Sequence, residues 1–377
     1  MERAGQHKKR MVNIEVLRLL AMMMVVSLHY LGKGELLEDL KGPLSAKGHL
    51  AWLIESFSIA AVDVYVLISG YFLVETGFRC KRLISLVLQV MFYTCLMPVI
   101  LIGTGMLSAG EITFYDILQC VFPTNMLYHW FVSAYVLMFL FTPVLNAAVH
   151  GMKKKQLQAA IIILLIMESL SKTVIPVRLE LDNLGYDAYW LMVVYLIAAY
   201  IRLYGIPFLE KKEGKGNRAV LCYIGACFGI YMLTMLIRKA HLVTGQFEYF
   251  IESAYGYNHL LTIGAAVALF YVFKNLRSKH LPDMICKITP CSFGVYLLHE
   301  QMNIRYVWPF WLGADKCDSA FSLLWHWALA IVIVMLIGLA VDYARSLLFK
   351  GAGRLLAGGR LDRSLKKVDD AVNGLAE

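Results

Sequence analysis

Residues 13–29 read NIEVLRLLAMMMVVSLH, an apolar run interrupted by Glu15, Arg18 and His29. A run of this character predicts a membrane-crossing helix, and hydrocarbon tolerates ionisable side chains only where something offsets their desolvation. Arg18 and His29 are eleven residues apart, close to three helical turns. At roughly 5.4 Å per turn both side chains share one face, about 16 Å apart along the axis. One stripe therefore joins two membrane depths. Glu15 lies three residues before Arg18, a spacing at which helical side chains are neighbours, so its carboxylate can hold the guanidinium near the inner end.

The rest of the chain has the same character. Of its 377 residues 59% are hydrophobic and 17% charged, and its mean hydropathy is +0.62. That leaves too little polar surface to coat a soluble domain of this size. Apolar segments near 12–31, 51–74, 84–106, 129–149, 156–175, 188–204, 219–238, 259–274, 289–310 and 321–345 predict an all-α polytopic membrane protein with about ten transmembrane helices. Connections between them are short, so residues 1–345 are expected to form one membrane domain and residues 346–377 a basic cytoplasmic tail, either a helix on the inner leaflet or disordered. With the N-terminus inside, the inner segments hold 26 Lys and Arg and the outer segments 9, and Arg18 is the remaining one of the 36. This bias predicts that both termini are cytoplasmic and that the protein is multi-pass in the plasma membrane.

The same count explains the net charge of +9 as a topology signal and a match to anionic lipid, and no nucleic-acid motif accompanies it. Glu15 and Arg18 interrupt the first apolar run and no small-residue cleavage site follows, so it reads as an uncleaved helix. The eight cysteines show no metal-ligand spacing, and only Cys317 falls clearly on the outer side, which predicts structural thiols, no disulfide framework and no metal. No internal repeat of broken helices marks a secondary transporter.

Candidate chemistry follows from the polar residues. His29 approaches the outer surface, and Glu55, His129, Glu168, His259, His299, Glu300 and His326 thread to the same outer half, where they could line a cavity open to the outside. Imidazole moves protons near neutral pH, which ranks His29 and His299 first as acid or base. Asp63 is mid-span, six residues before Ser69-Gly70; it needs a donor such as Arg or His, while the small-residue step suits close helix packing. Trp130, Trp190 and the outer segment FEYFIESAYGYN (residues 247–258) offer aromatic faces for a sugar ring, or simply an interfacial belt. On the inner side FRCKR (Phe78 to Arg82, with Arg79, Lys81 and Arg82) and HGMKKK (His150 to Lys155) could grip a polyanion, since Arg and Lys bind phosphate.

Taken in order, these landmarks resemble the acyltransferase-3 family of integral-membrane acyltransferases, which commonly O-acetylate cell-surface polysaccharides. NIEVLRLLAMMMVVSLH resembles the family's first helix with its Arg-x10-His motif on Arg18 and His29, with Glu15 where Asp is more usual. VDVYVLISGYFLVETGFRCKRLISLV is similar to the segment ending in Ser-Gly and a basic run, with Tyr65 and Val66 in place of paired Phe. HWFVSAYVLMFLFTPVL resembles the Trp-Phe through Pro segment (Trp130, Phe131, Pro143), and SFGVYLLHE the Gly-x-Tyr-Leu-x-His motif (Gly294, Tyr296, Leu297, His299).

The resemblance implies transfer of an acyl group, usually acetyl from cytoplasmic acetyl-CoA, to a hydroxyl of an extracytoplasmic or lipid-linked carbohydrate. It implies His29, Arg18 and Glu15 as the catalytic set, and Arg18, Ser69, Arg79, Lys81 and Arg82 as acyl-CoA contacts. Asp63, Trp130, His299 and Glu300 would contact the acceptor. His29 would act as general base or as a transient acyl carrier. The extra outer domain of some members is not recognised in this sequence, which brings partner proteins of polysaccharide assembly into the expectation. The competing readings are an exporter or flippase of lipid-linked sugars working without covalent chemistry, and a scaffold in an assembly complex.

Overall fold

The computed structural model describes residues 11–108, 110, 112–124, 128–174, 183–211, 217–276, 284–356 and 360–374. The basic residues Arg3, Lys8, Lys9, Arg10, Arg178, Lys212, Lys215, Arg277 and Lys279 lie outside them. Among the described residues every regular element is helical and there is no strand.

The chain opens with α1 (Val12–Lys33), α2 (Ala46–Ser58), α3 (Ala61–Leu73), α4 (Cys80–Gly103), α5 (Phe114–Val121), α6 (Trp130–Leu140) and α7 (Thr142–Gly151). It continues with α8 (Lys154–Leu165), α9 (Ser171–Val174), α10 (Ala188–Tyr204), α11 (Arg218–Thr244), α12 (Leu260–Lys274) and α13 (Met284–Ile288). The last four are α14 (Ser292–His299), α15 (Trp308–Trp311), α16 (Ala320–Leu356) and α17 (Arg360–Gly374). Among the described residues six stretches are long and apolar enough to cross a membrane: Val12–Lys33, Ala46–Leu73, Cys80–Gly103, Arg218–Thr244, Glu248–Lys274 and Ala320–Gly351. The pair α6 and α7 makes a seventh if it is taken as one span bent by 51°.

The shortfall from ten has local causes. The α6–α7 bend falls at Pro143, which opens α7 and lacks the N–H that a continuous ladder needs. The apolar run over 156–175 passes through a π-helical turn at Ile166–Leu170, and α10 has only 17 residues. The expected span over 289–310 is not continuous. A 3-10 turn, Thr289–Cys291, carries Pro290 into α14, whose 8 residues rise only about 12 Å, and the chain then turns before α15.

Helix starts follow capping chemistry. Ser45 accepts the Gly48 N–H of α2 at 3.1 Å, and Asp187 accepts the Trp190 N–H of α10 at 2.8 Å; each supplies an acceptor for an end donor that lacks an intrahelical partner. At its far end α11 stops at Gly245 in the left-handed region, φ 70°, which costs a residue without Cβ little.

The centre of the bundle is α1 with α2–α3 and α12. Within the apolar window of each crossing stretch, 67% of α1 and 72% of Ala46–Leu73 is buried, against 17% for α11 and 28% for α16. Site-bearing helices are therefore central, and the peripheral helices turn side chains such as Leu221, Leu236, Phe321 and Leu336 outward. At the Ser69-Gly70 step α3 packs tightly on α10, since a Cβ on Gly70 would stand 2.8 Å from the Ala198 Cβ. Gly70→Val should destabilise the chain by about 1–3 kcal/mol, read as a lowered midpoint of thermal unfolding in detergent; an unchanged midpoint would mean that α3 and α10 are free to separate.

At the end that carries the FRCKR run, α17 docks on the start of α4. The backbone N–H of Cys80 donates to Asp369 Oδ1 at 2.6 Å and that of Phe78 to Asn373 Oδ1 at 2.7 Å, while Asn373 Nδ2 donates to the Phe78 carbonyl at 3.1 Å. This part of the tail is a helix packed on the start of α4.

Candidate active site

Arg18, Val25, His29 and Lys33 follow one another up one side of α1. That side meets α14, whose last residue is His299. His29 Nδ1 lies 2.8 Å from His299 Nε2, and His299 Nδ1 lies 2.6 Å from the Val295 carbonyl one turn below. A carbonyl only accepts, so His299 Nδ1 carries the proton and, in the neutral ring, His299 Nε2 is an acceptor. His29 Nδ1 must then donate. Glu300 Oε1, 3.3 Å from the same nitrogen, is a second acceptor and requires the same tautomer. Both contacts leave His29 Nε2 with its lone pair available.

The two rings are held by packing. Trp308 meets His299 edge-on at 5.6 Å, and Tyr296 lies 6.2 Å from each imidazole. Lys33, four residues beyond His29, forms an ion pair with Glu300. The ligand atoms of His29, His299 and Glu300 lie within 4.8 Å of one another, a spacing that a metal could span, but the Lys33 ammonium already sits on the carboxylate.

A cavity opens beside His29, lined also by Tyr65, Trp130, Tyr257, Phe293 and Tyr296. On the inner side Tyr65 donates its hydroxyl to the Arg18 carbonyl at 2.9 Å, so the cavity wall reaches the turn that holds Arg18. Arg18 is half-buried and pairs with Glu15 at 3.4 Å. Asp63 is fully buried, and its partner is neither Arg nor His: the Trp190 indole donates to Oδ1 at 2.9 Å.

The structure thus brings together His29, His299, Glu300 and Trp130 and connects Arg18 and Glu15 to them along α1. Ser69 is half-buried on α3, and Arg79, Lys81 and Arg82 are exposed at the start of α4, beside α17. Of the wider outer set, His259 is a helix cap whose Nδ1 accepts the Leu261 N–H at 3.3 Å, and the His326 imidazole lies against Gly313. His129 is buried 5.4 Å from Tyr296.

Two features escape the sequence reading. Lys33 counts there only as an outer basic residue, although its place four residues after His29 is a helical-neighbour signal. The second is a buried network at the other end of α14: Asp342 accepts Arg345 Nε at 2.7 Å, Arg345 Nη2 at 2.9 Å, the Tyr93 hydroxyl at 2.8 Å and Gln89 Nε2 at 3.0 Å. Its sequence signal, Asp-x-x-Arg inside an apolar run, is the same as Glu15-x-x-Arg18.

A membrane bundle with a free imidazole nitrogen over a cavity, backed by a carboxylate, suits proton transfer from a hydroxyl. Comparison with known families agrees with this class. The acyltransferase domain of the acyltransferase-3 family matches residues 11–343, and the chain belongs to that family. No curated protein and no solved structure matches it.

Proposed function

We propose that the protein transfers an acyl group, acetyl in the simplest case, from cytoplasmic acyl-CoA to a hydroxyl of a carbohydrate on the outer side of the plasma membrane or linked to lipid. The observation that carries this reading is the His29–His299 pair, which leaves His29 Nε2 unprotonated on a residue that lines a cavity, together with Tyr65, whose hydroxyl donates to the Arg18 carbonyl. The chain is read with about ten membrane segments, counting α8, α10 and the broken α13–α15 region, and with both termini cytoplasmic.

His29 Nε2 takes the proton of the acceptor hydroxyl as its oxygen bonds to the acyl carbon. The carbon–sulfur bond then breaks and the leaving thiolate takes the proton from His29, giving the ester and free CoA. Glu300 and His299 stabilise the imidazolium formed in between, because both accept from Nδ1. Arg18, steadied by Glu15, holds the donor from the inner side, with Ser69 and the exposed Arg79, Lys81 and Arg82 as its further contacts. Asp63 and Trp130 serve the acceptor, and proteins of polysaccharide assembly are the expected partners.

The test is release of free CoA from acetyl-CoA by the purified protein in lipid, with and without a cell-envelope polysaccharide fraction, together with transfer of label into that fraction. Release that rises with the fraction supports the reading. Absence of both release and acyl-CoA binding sinks it in favour of a flippase or a scaffold. In the same assay Arg18→Ala should raise the KM for acetyl-CoA by about 10-fold or more, the effect of losing a charge-assisted contact of about 1.5–3 kcal/mol. An unchanged KM and binding affinity would assign Arg18 to structure alone.

A further inference from the structure

We propose that the cavity between α4 and α5 binds one acyl chain of a bilayer phospholipid, and that this chain supports the two segments that carry the catalytic groups. The binding site stands on its own geometry; its effect on rate rests on the acyl-transfer reading.

The cavity is separate from the one beside His29. Its volume is about 530 Å³, within the range of about 300–1,000 Å³ usual for small-molecule sites. Cys95, Val99 and Ile102 of α4, Ile117 and Val121 of α5, and Met302 supply its apolar wall. One contact sets its depth. The Thr94 hydroxyl donates to the Cys120 carbonyl at 2.7 Å, which hangs the end of α5 nine residues short of the end of α4 at Gly103, about 14 Å along the axis. Cys80–Gly103 is a crossing stretch, so the cavity lies at hydrocarbon depth. Val99 and Ile117 line it and are also 64% and 50% exposed on the outside of the bundle, so it opens sideways to lipid.

The chemistry of the wall selects a lipid over water. Asp116 accepts from the Thr113 backbone N–H and hydroxyl at 2.8 and 2.6 Å, and Asn303 accepts from Gln301 Nε2 at 2.7 Å. These polar members of the wall are engaged within the protein, whereas a buried water needs about two to four polar partners. A methylene chain needs only close apolar contact. The Gln119 amide, which also lines the cavity, suits the ester end of a lipid.

A second, independent observation ties the cavity to catalysis. Two chain segments face both cavities. Tyr128 lines the α4–α5 cavity, and Trp130 lines the one beside His29. Met302 and Asn303 line the α4–α5 cavity, and Glu300, just before them, lies 3.3 Å from His29 Nδ1. The segments are tied to each other at the shared wall, where the Tyr128 hydroxyl accepts from Gln301 Nε2 at 2.9 Å and from the Met302 N–H at 3.2 Å. A chain packed behind that wall restrains both segments at once.

The experiment places the full chain in nanodiscs with phosphatidylcholine that carries a diazirine midway along one acyl chain, and maps the cross-linked residues by mass spectrometry. Adducts on Met302 are expected beside those on the outward residues Leu236 and Phe321, which report ordinary contact with lipid. Ile102→Trp and Val121→Trp, which fill the cavity from opposite walls, should each reduce the Met302 adduct by about tenfold or more and leave the other two unchanged. In the acetyl-CoA assay, wild type stripped of lipid in amphipol should gain about tenfold or more in CoA release when phosphatidylcholine is restored, and the filled variants should gain less. Adducts on Leu236 and Phe321 without one on Met302, or a Met302 adduct that survives both substitutions, would overturn the site. Stronger labelling of Met302 by a diazirine polyprenyl phosphate than by the phospholipid would overturn the choice of lipid, and equal gains in wild type and filled variants would sever the site from catalysis. Cross-linking needs no turnover, so a Met302 adduct in a protein that releases no CoA supports the site and counts against acyl transfer instead.

Discussion

His29→Gln should reduce acyl transfer by about 10²–10⁴-fold in a protein that still folds and still binds acyl-CoA. The Gln amide can keep a donor near His299 Nε2, but it has no basic nitrogen to replace Nε2, so the substitution separates positioning from proton transfer. The measurement is CoA release in nanodiscs as a function of pH. The wild type should show an acid limb, because a protonated His29 cannot accept from the hydroxyl, and the variant's residual rate should lack it. Full activity, or an acid limb that survives the substitution, would move the base elsewhere. A role as transient acyl carrier predicts in addition an acylated His29 that can be trapped before acceptor is added.

The second large effect is structural. Asp342→Leu or Arg345→Met alone should destabilise the chain by about 3–5 kcal/mol, because each strands the other charge inside the bundle. The double variant should recover much of the loss, since an apolar pair of similar volume carries no desolvation cost. Thermal unfolding in detergent reads both. A Cβ on Gly294 would collide with the Asp342 side chain, and one on Gly338 would come within 2.8 Å of the Val295 Cα, so α14 is seated directly on α16. Catalysis should therefore fall with stability in the single variants, as His299 loses its register with His29. Single variants as stable as wild type would show that the network does not hold α14.

Much of this arrangement could be read before any coordinates, and the limits are instructive. Arg18 and His29 belong to one helix, so periodicity alone places them on one face. The partner of His29 is 270 residues away, and no local rule joins two such positions; threading places both in the outer half without pairing them. The break after His299 falls in residues 300–307, EQMNIRYV, where Glu300, Gln301, Asn303 and Arg305 mark it in the sequence, but the apolar stretches on either side, SFGVYLLH and WPFWL, read together as one span. Asp63 shows what a partner rule misses: a buried carboxyl needs a donor, but an indole N–H serves as well as a cation. His259 illustrates the converse, since a polar residue before an apolar run is as easily a helix cap as a cavity wall.

The single free nitrogen of the His29–His299 pair also has an electrical meaning. The pair can store one proton, because a second would set two cationic rings 2.8 Å apart. On the proposed orientation, each turnover moves one acyl group outward and returns one hydrogen inward on the CoA thiol. That exchange carries no net charge across the bilayer. Turnover should therefore be silent in a voltage-clamped membrane, and the thioester bond, not the membrane potential, would drive the group to the outer face.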